Sequence, residues 1–227
     1  MKICRYDDDR IGVLVDGAIR DVTSLRDELP AHRYPFPAGD ALVANLDRLR
    51  PVIEALAEKS SPIDPDKVTL HSPVANPTKL VCAPVNYLKH FEEGAGDPEI
   101  HHNRHVAKIH EVALFLKATS ALAGPGDGVR LRHLDRRSDH ELELALVIGK
   151  TADRVSREEA MSYVAGYSIG LDMTVRGPED RSFRKSIDSY AVLGPWMTTA
   201  DEIADPANLD MTLSVNGEQR QIGRAHV

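Results

Sequence analysis

His140-Glu141-Leu142-Glu143-Leu144-Ala145-Leu146-Val147-Ile148 places leucines and an isoleucine at alternate positions, and its two acidic residues stand two apart. Alternation with a period of two is the mark of a β-strand, in which residues i and i+2 point to the same side. The stretch therefore predicts a strand with Glu141 and Glu143 on one face. Burying two carboxylates beside apolar side chains is strongly disfavoured unless a cation lies between them. Solvent is the other remedy, and for this stretch alone a half-exposed strand with a wet polar face is the commoner explanation.

A third carboxylate shifts that balance. Asp172 closes the apolar run Gly166-Tyr167-Ser168-Ile169-Gly170-Leu171 and is expected at the last position of a strand, at the mouth of a site. Three carboxylates make an all-oxygen set that suits Mg2+, Mn2+ or Ca2+ and fits Zn2+ poorly, since zinc usually takes His or Cys. Lys185 and Arg176 are close enough in sequence to offset the excess negative charge and to attract an anionic substrate. Upstream, Asn86-Tyr87-Leu88-Lys89-His90-Phe91-Glu92-Glu93 contains His-x-x-Glu. On a helical turn His90 and Glu93 share a face, so that the carboxylate can orient the imidazole and the pair can deprotonate a water. As an isolated motif this spacing is more often a surface ion pair.

Short apolar or alternating runs recur at 79–82, 113–116, 142–148, 163–171 and 211–215 and predict further strands. Near the start, Val13-Leu14-Val15 and Ala18-Ile19 flank Asp16-Gly17, which predicts a hairpin over 11–23. Leu42, Val43, Leu46, Leu49, Val52, Ile53 and Leu56 recur at helical spacing, with Pro51 expected to kink or divide the helix. Pro62, Pro65, Pro73 and Pro77 punctuate the next stretch and predict a boundary near residue 75. Gly124-Pro125-Gly126-Asp127-Gly128 reads as a turn, since no Lys-Ser/Thr follows it as in a phosphate cradle. The expected class is α+β and β-rich, with a small leading domain.

A length of 227 residues with 42% hydrophobic content supports a sizeable core. Acidic residues number 35 against 28 basic ones, a net charge of -7 with both signs interspersed. That balance argues against nucleic acid or an anionic membrane as partner and favours a small-molecule substrate. No apolar run is long enough for a membrane span or a signal peptide, and a cytoplasmic location is expected. Cys4 and Cys82 lack CxxC spacing and predict neither a disulfide framework nor a thiolate metal site.

In order, the segment from Asn86-Tyr87 to Glu93, the strand at 140–148, the segment from Gly170 to Arg176, and Lys185-Ser186-Ile187-Asp188 through Gly194-Pro195-Trp196 resemble the motifs of the fumarylacetoacetate hydrolase family. Asp205-Pro206-Ala207-Asn208-Leu209 and Val215-Asn216-Gly217-Glu218 add to the resemblance, which covers residues 79 to 221. It implies a mixed β-sheet roll or barrel as catalytic domain at 76–221, preceded by a small N-terminal α+β domain at 1–75, and a homodimer. It also implies that Glu141, Glu143 and Asp172 ligate Mg2+ or Mn2+, and that His90 and Glu93 form the water-activating dyad. Lys185 would meet the substrate or the developing enolate, and Tyr87, Arg176 and Glu179 would contact the substrate.

The reaction so implied is hydrolysis or decarboxylation of a small dioxo or keto acid. An isomerase or hydratase of the 2-hydroxyhepta-2,4-diene-1,7-dioate type, a truncated metal-binding fragment without turnover, and a plain structural domain remain open. Glu179 stands where the family commonly has a glutamine, from which a more basic or neutral substrate end is expected. His101, His102, His105 and His110 fall in the region 94–112, read as a mobile lid rather than a second metal site. The family's Thr-Gly-Thr-Pro loop is missing, so the catalytic domain is expected to be incomplete at its C-terminus. Residues 222–227 back-translate to a common sequencing adapter and are expected to be a non-native tail, leaving the strand after Asn216-Gly217 without a proper partner.

Overall fold

The structure, a computed structural model, describes residues 1–84 and 109–225. It opens with the meander β1 (Lys2–Tyr6), β2 (Arg10–Val15) and β3 (Ala18–Asp21). Asp16 and Gly17, between β2 and β3, have φ of 50° and 78°, the two positive values that a tight hairpin turn demands and that Asp-Gly tolerates.

Two helices follow, α1 (Ala41–Ala44) and α2 (Leu46–Lys59). The Asp40 carboxylate accepts from the Leu42 and Val43 amides at 2.9 and 3.1 Å and starts the first helix. The helical run divides at Asn45, not at Pro51 as expected. Asn45 leaves helical geometry and its side chain donates to the Ala41 carbonyl at 2.8 Å, while Pro51 lies in the second turn of α2 on its solvent side, where losing one backbone bond is tolerable.

The remaining elements are β4 (Pro62–Ile63), β5 (Leu70–His71), β6 (Leu80–Cys82), α3 (Ile109–Val112), β7 (Phe115–Lys117), β8 (Leu122–Ala123), β9 (Ser138–Ile148), β10 (Val164–Val175), α4 (Arg181–Lys185), β11 (Ala191–Thr199), β12 (Leu209–Val215) and β13 (Glu218–Ala225). β7 starts at Phe115, later than expected, because Ala113 closes the preceding helical turn with φ 55° and its amide bonded to the Ile109 carbonyl. No described helix is long and apolar enough to cross a membrane.

A nine-stranded sheet dominates, in the order β4-β3-β2-β1-β11-β10-β9, with β5 also on β1 and β8 on β11. It runs across the boundary expected near residue 75: Lys2 and Ile3 of β1 face Thr198 and Met197 of β11. The core crosses the same seam, since Leu25, Leu49 and Ile53 from the leading segment pack in one cluster with Val147 and Met197. β12 and β13 form a separate antiparallel hairpin over their full length, so the strand after Asn216-Gly217 does find a partner, contrary to expectation.

The seam is clasped by a polar cluster. The His71 ring stands 2.9 Å from the Asp127 carboxylate and 2.7 Å from the Asp7 carbonyl, and Asp127 also accepts from the Gly124 amide at 2.6 Å. Gly124 lies so close to β5 that a Cβ there would meet the His71 carbonyl carbon at 2.2 Å. Gly124→Ala is therefore expected to cost about 1–3 kcal/mol, read from the urea midpoint. Burial opposes ionisation of Asp127, but the Gly124 amide and His71 outweigh it and hold the carboxyl below its ordinary 3.8. A depressed carboxyl contributes stability above the unfolded value and loses it as pH falls through the folded one. In urea titrations below about pH 4, Asp127→Asn should therefore lose stability less steeply than the parent.

Candidate active site

The pairing of β9 with β10 sets the site. Asp172 lies directly opposite Glu141, and Gly170 opposite Glu143. Directly opposed residues share a face, with Cβ atoms about 5 Å apart, so the antiparallel register carries all three carboxylates to one side of the two-strand ladder. Gly170 presents no side chain beside Glu143. Asp172 is not the last residue of its strand as expected: β10 continues to Val175, because β9 begins early enough for Asp139 and Ser138 to pair with Thr174 and Val175.

Lys185, 6% exposed, drives its ammonium between two of these carboxylates. It lies 2.7 Å from Glu141, 2.6 Å from Asp172 and 2.7 Å from the Thr174 hydroxyl. Burial alone would discharge this lysine, but Glu141 and Asp172 outweigh it and hold its pKa above the usual value. Arg176 spans Asp139 at 2.7 Å and Glu141 at 2.8 Å. Lys117, 5% exposed, donates to Asp172 and to the Tyr190 carbonyl, both at 2.5 Å. Burial pushes the Lys117 pKa down, against the pull of Asp172. The neighbouring Cys82 thiol is pushed up to about 11, first by burial and then by Asp172.

The expected ligand set is not closed. Among the described residues no three His, Cys, Asp or Glu side chains are gathered as a metal site. The ammonium of Lys185 stands between Glu141 and Asp172 where a cation was expected. The chemistry of the donors still fits a divalent ion: three all-oxygen groups share a face on adjacent rungs, and two of them already bridge one positive charge. Among the described residues Asp139, Glu141, Glu143 and Asp172 are matched by Lys117, Lys185, Arg176 and, on Asp139, Arg137, so a divalent ion would turn the cluster positive and attract a carboxylate.

Glu179, expected at the substrate, is instead held by Arg136 through both oxygens, at 3.1 and 2.7 Å. That pairing neutralises the charge from which a basic or neutral substrate end was expected. Tyr87, His90, Glu93, His101, His102 and His105 lie outside the described residues. A cavity of about 240 Å³ lined by Arg5, His71, Thr119 and Asp127 belongs to the clasp at the seam and includes none of the clustered carboxylates.

A family model for the C-terminal part of fumarylacetoacetate hydrolase matches residues 79–226. The chain belongs to the fumarylacetoacetate hydrolase family. It is an enzyme of that family by the company it keeps: a maleylpyruvate hydrolase of Aquipseudomonas alcaligenes is 53% identical over 97% of this chain and 78% of that protein. The mitochondrial oxaloacetate tautomerase of Homo sapiens is 34% identical over 76% of this chain and 54% of that protein. Among solved structures, maleylpyruvate hydrolase from a Sphingobium species, in complex with manganese and pyruvate, superposes with a TM-score of 0.78 at 37% identity, over 99% of this chain and 77% of that one.

Within the family fold, Lys117 is the site residue that sequence reasoning missed. Its only signal was its place directly after the apolar run Ala113-Leu114-Phe115-Leu116, since a lysine buried at the end of such a strand needs a partner. Lys117→Met removes one of the two ammonium partners of Asp172 and one of the two donors to the Tyr190 carbonyl, which keeps the Met173 amide at 3.0 Å. A loss of about 3 kcal/mol is expected in urea unfolding, with Lys117→Arg losing less.

Proposed function

We infer that the chain is a divalent-metal-dependent hydrolase that cleaves the carbon-carbon bond of an acylpyruvate. The observation that carries this reading is the β9–β10 register, which sets Glu141, Glu143 and Asp172 on one face beside Lys185 and Arg176. The relatives supply the chemistry: one is a maleylpyruvate hydrolase, and a solved maleylpyruvate hydrolase is described with manganese and pyruvate.

In this reading Glu141, Glu143 and Asp172 hold Mg2+ or Mn2+, with Ca2+ as the weaker fit. When bound, the ion polarises the keto-acid oxygens and disperses the charge that develops as the bond breaks. Lys185 moves off the carboxylates and meets the substrate oxygen, its buried ammonium being stabilised by whichever anion faces it. Arg176, anchored on Asp139, positions the keto-acid carboxylate. His90 and Glu93 activate the water, and Tyr87 lines the substrate. Water adds to the acyl carbonyl, the bond to the pyruvate carbon breaks, and that carbon takes a proton; one acylpyruvate and one water give pyruvate and a carboxylic acid.

The same reading includes a homodimer, for which Leu146, Ile148 and Ile169, each about half exposed on β9 and β10, are available apolar surface. A tautomerase reading of the same residues draws on the human relative. Acetylpyruvate and oxaloacetate assayed with Mn2+ separate the two: pyruvate release from acetylpyruvate supports the hydrolase, whereas enol-keto exchange of oxaloacetate without pyruvate from acetylpyruvate replaces it with the tautomerase. Asp172→Asn should weaken Mn2+ binding by about 100-fold or more in calorimetry; unchanged affinity would remove the metal from this site.

A further inference from the structure

Among the described residues β9 is the outermost strand of the nine-stranded sheet. Alternate residues of an antiparallel strand turn their amide and carbonyl to opposite edges, so β10 takes only half of the backbone groups of β9. Leu142, between the two glutamates of the site, turns both of its groups outward. Its amide donates to the side-chain oxygen of Gln221 at 2.9 Å, and its carbonyl accepts from the side-chain nitrogen of Gln221 at 3.3 Å. Glu141 and Glu143 then turn theirs inward, toward Asp172 and Gly170 of β10. A single glutamine amide thus completes a rung on the outer edge of the strand, as the backbone of a further strand would.

The β12–β13 hairpin is built to deliver that amide. Val215 faces Glu218 and Ser214 faces Gln219, but Leu213 faces Gln221, which leaves Arg220 as an extra residue, a bulge in β13. Continued without the bulge, the register would set Arg220 opposite Leu213. Directly opposed residues share a face, and a bulge re-aims the side chains that follow it. Gln221 therefore joins the face of Met211, Leu213 and Val215, all half-buried, while Arg220 stays exposed and pairs with Glu218 at 2.5 Å. A neutral amide on that face reaches the backbone of β9 without adding a charge beside Glu141 and Glu143, as an arginine would.

We propose that Gln221 is a positioning residue for the metal-binding strand: by clipping the outer edge of β9 at Leu142, it fixes the spacing of Glu141 and Glu143 for the ion. This rests on the divalent-metal reading of the site. Residues i and i+2 of a strand stand about 7 Å apart, and the peptide groups between them set how far their carboxylates splay. β10 holds those groups from one edge and Gln221 from the other, so the strand cannot twist locally between the two glutamates. Groups that orient metal ligands from outside the ligand set contribute strongly to metal affinity.

The test compares the parent with Q221M, which keeps the length of the side chain and loses the amide, with thermal melting to establish folding. Without metal, hydrogen exchange of the Leu142 amide should speed up by about tenfold or more. In calorimetry, Mn2+ affinity should fall by about tenfold or more. Leu213→Ala, which thins the apolar face of the same hairpin but leaves the amide in place, should lower it less. With acetylpyruvate, the activity that Q221M loses at limiting Mn2+ should return at saturating Mn2+. Unchanged exchange at Leu142, a Mn2+ affinity equal to the parent's, an equal loss in Leu213→Ala, or activity that excess Mn2+ does not restore overturns the positioning role. A parent that binds no Mn2+ sinks the metal reading instead, and exchange at Leu142 still decides whether Gln221 holds the strand. Should Q221M fail to melt cooperatively, the same measurements on Q221N, whose amide sits one methylene short of both groups, carry the test.

Discussion

The ammonium of Lys185 between Glu141 and Asp172 is the contact on which the arrangement of the site depends. Each of those carboxylates is nearly buried, and each has a second cation, Arg176 on Glu141 and Lys117 on Asp172. An isolated charge at that depth is costly, and a connected array of opposite charges offsets the cost. Arg176 and Lys117 have further anchors of their own, in Asp139 and in the Tyr190 carbonyl. Lys185 itself is the last residue of the five-residue helix α4.

The sheet supplies the geometry that this array needs. β10 lies between β9 and β11, so its backbone is held on both sides and Asp172 cannot slide relative to Glu141 without moving the whole strand. A slip of one residue would turn the carboxylates to the opposite face. The leading segment reinforces the same sheet through β1 on β11 and through the His71–Asp127 clasp. Residues far from the chemistry thereby contribute to its precision, because strands from both sides of residue 75 share one sheet.

Charge is distributed unevenly for a chain of net charge -7. Carboxylates cluster on the β9–β10 face, while Arg176, Arg181 and Arg184 gather at its border. Glu179 shows why local chemistry misleads: read as a bare acid it pointed to a basic or neutral substrate end, and in the structure both its carboxylate oxygens are held by Arg136.

Period-two alternation placed Glu141 and Glu143 on one strand face, Asp-Gly marked its hairpin, and the ordered motifs identified the family, because each of these is written in residues a few positions apart. The break at Asn45 rather than Pro51, and β10 continuing past Asp172, escaped that reading since they turn on a side-chain bond and on a partner strand. The opposition of Asp172 to Glu141, the burial of Lys117, the union of the leading strands with β11, and the capture of Glu179 by Arg136 were decided only in three dimensions. Strand register and charge pairing join residues dozens of positions apart, and their energies depend on burial, which no local pattern specifies.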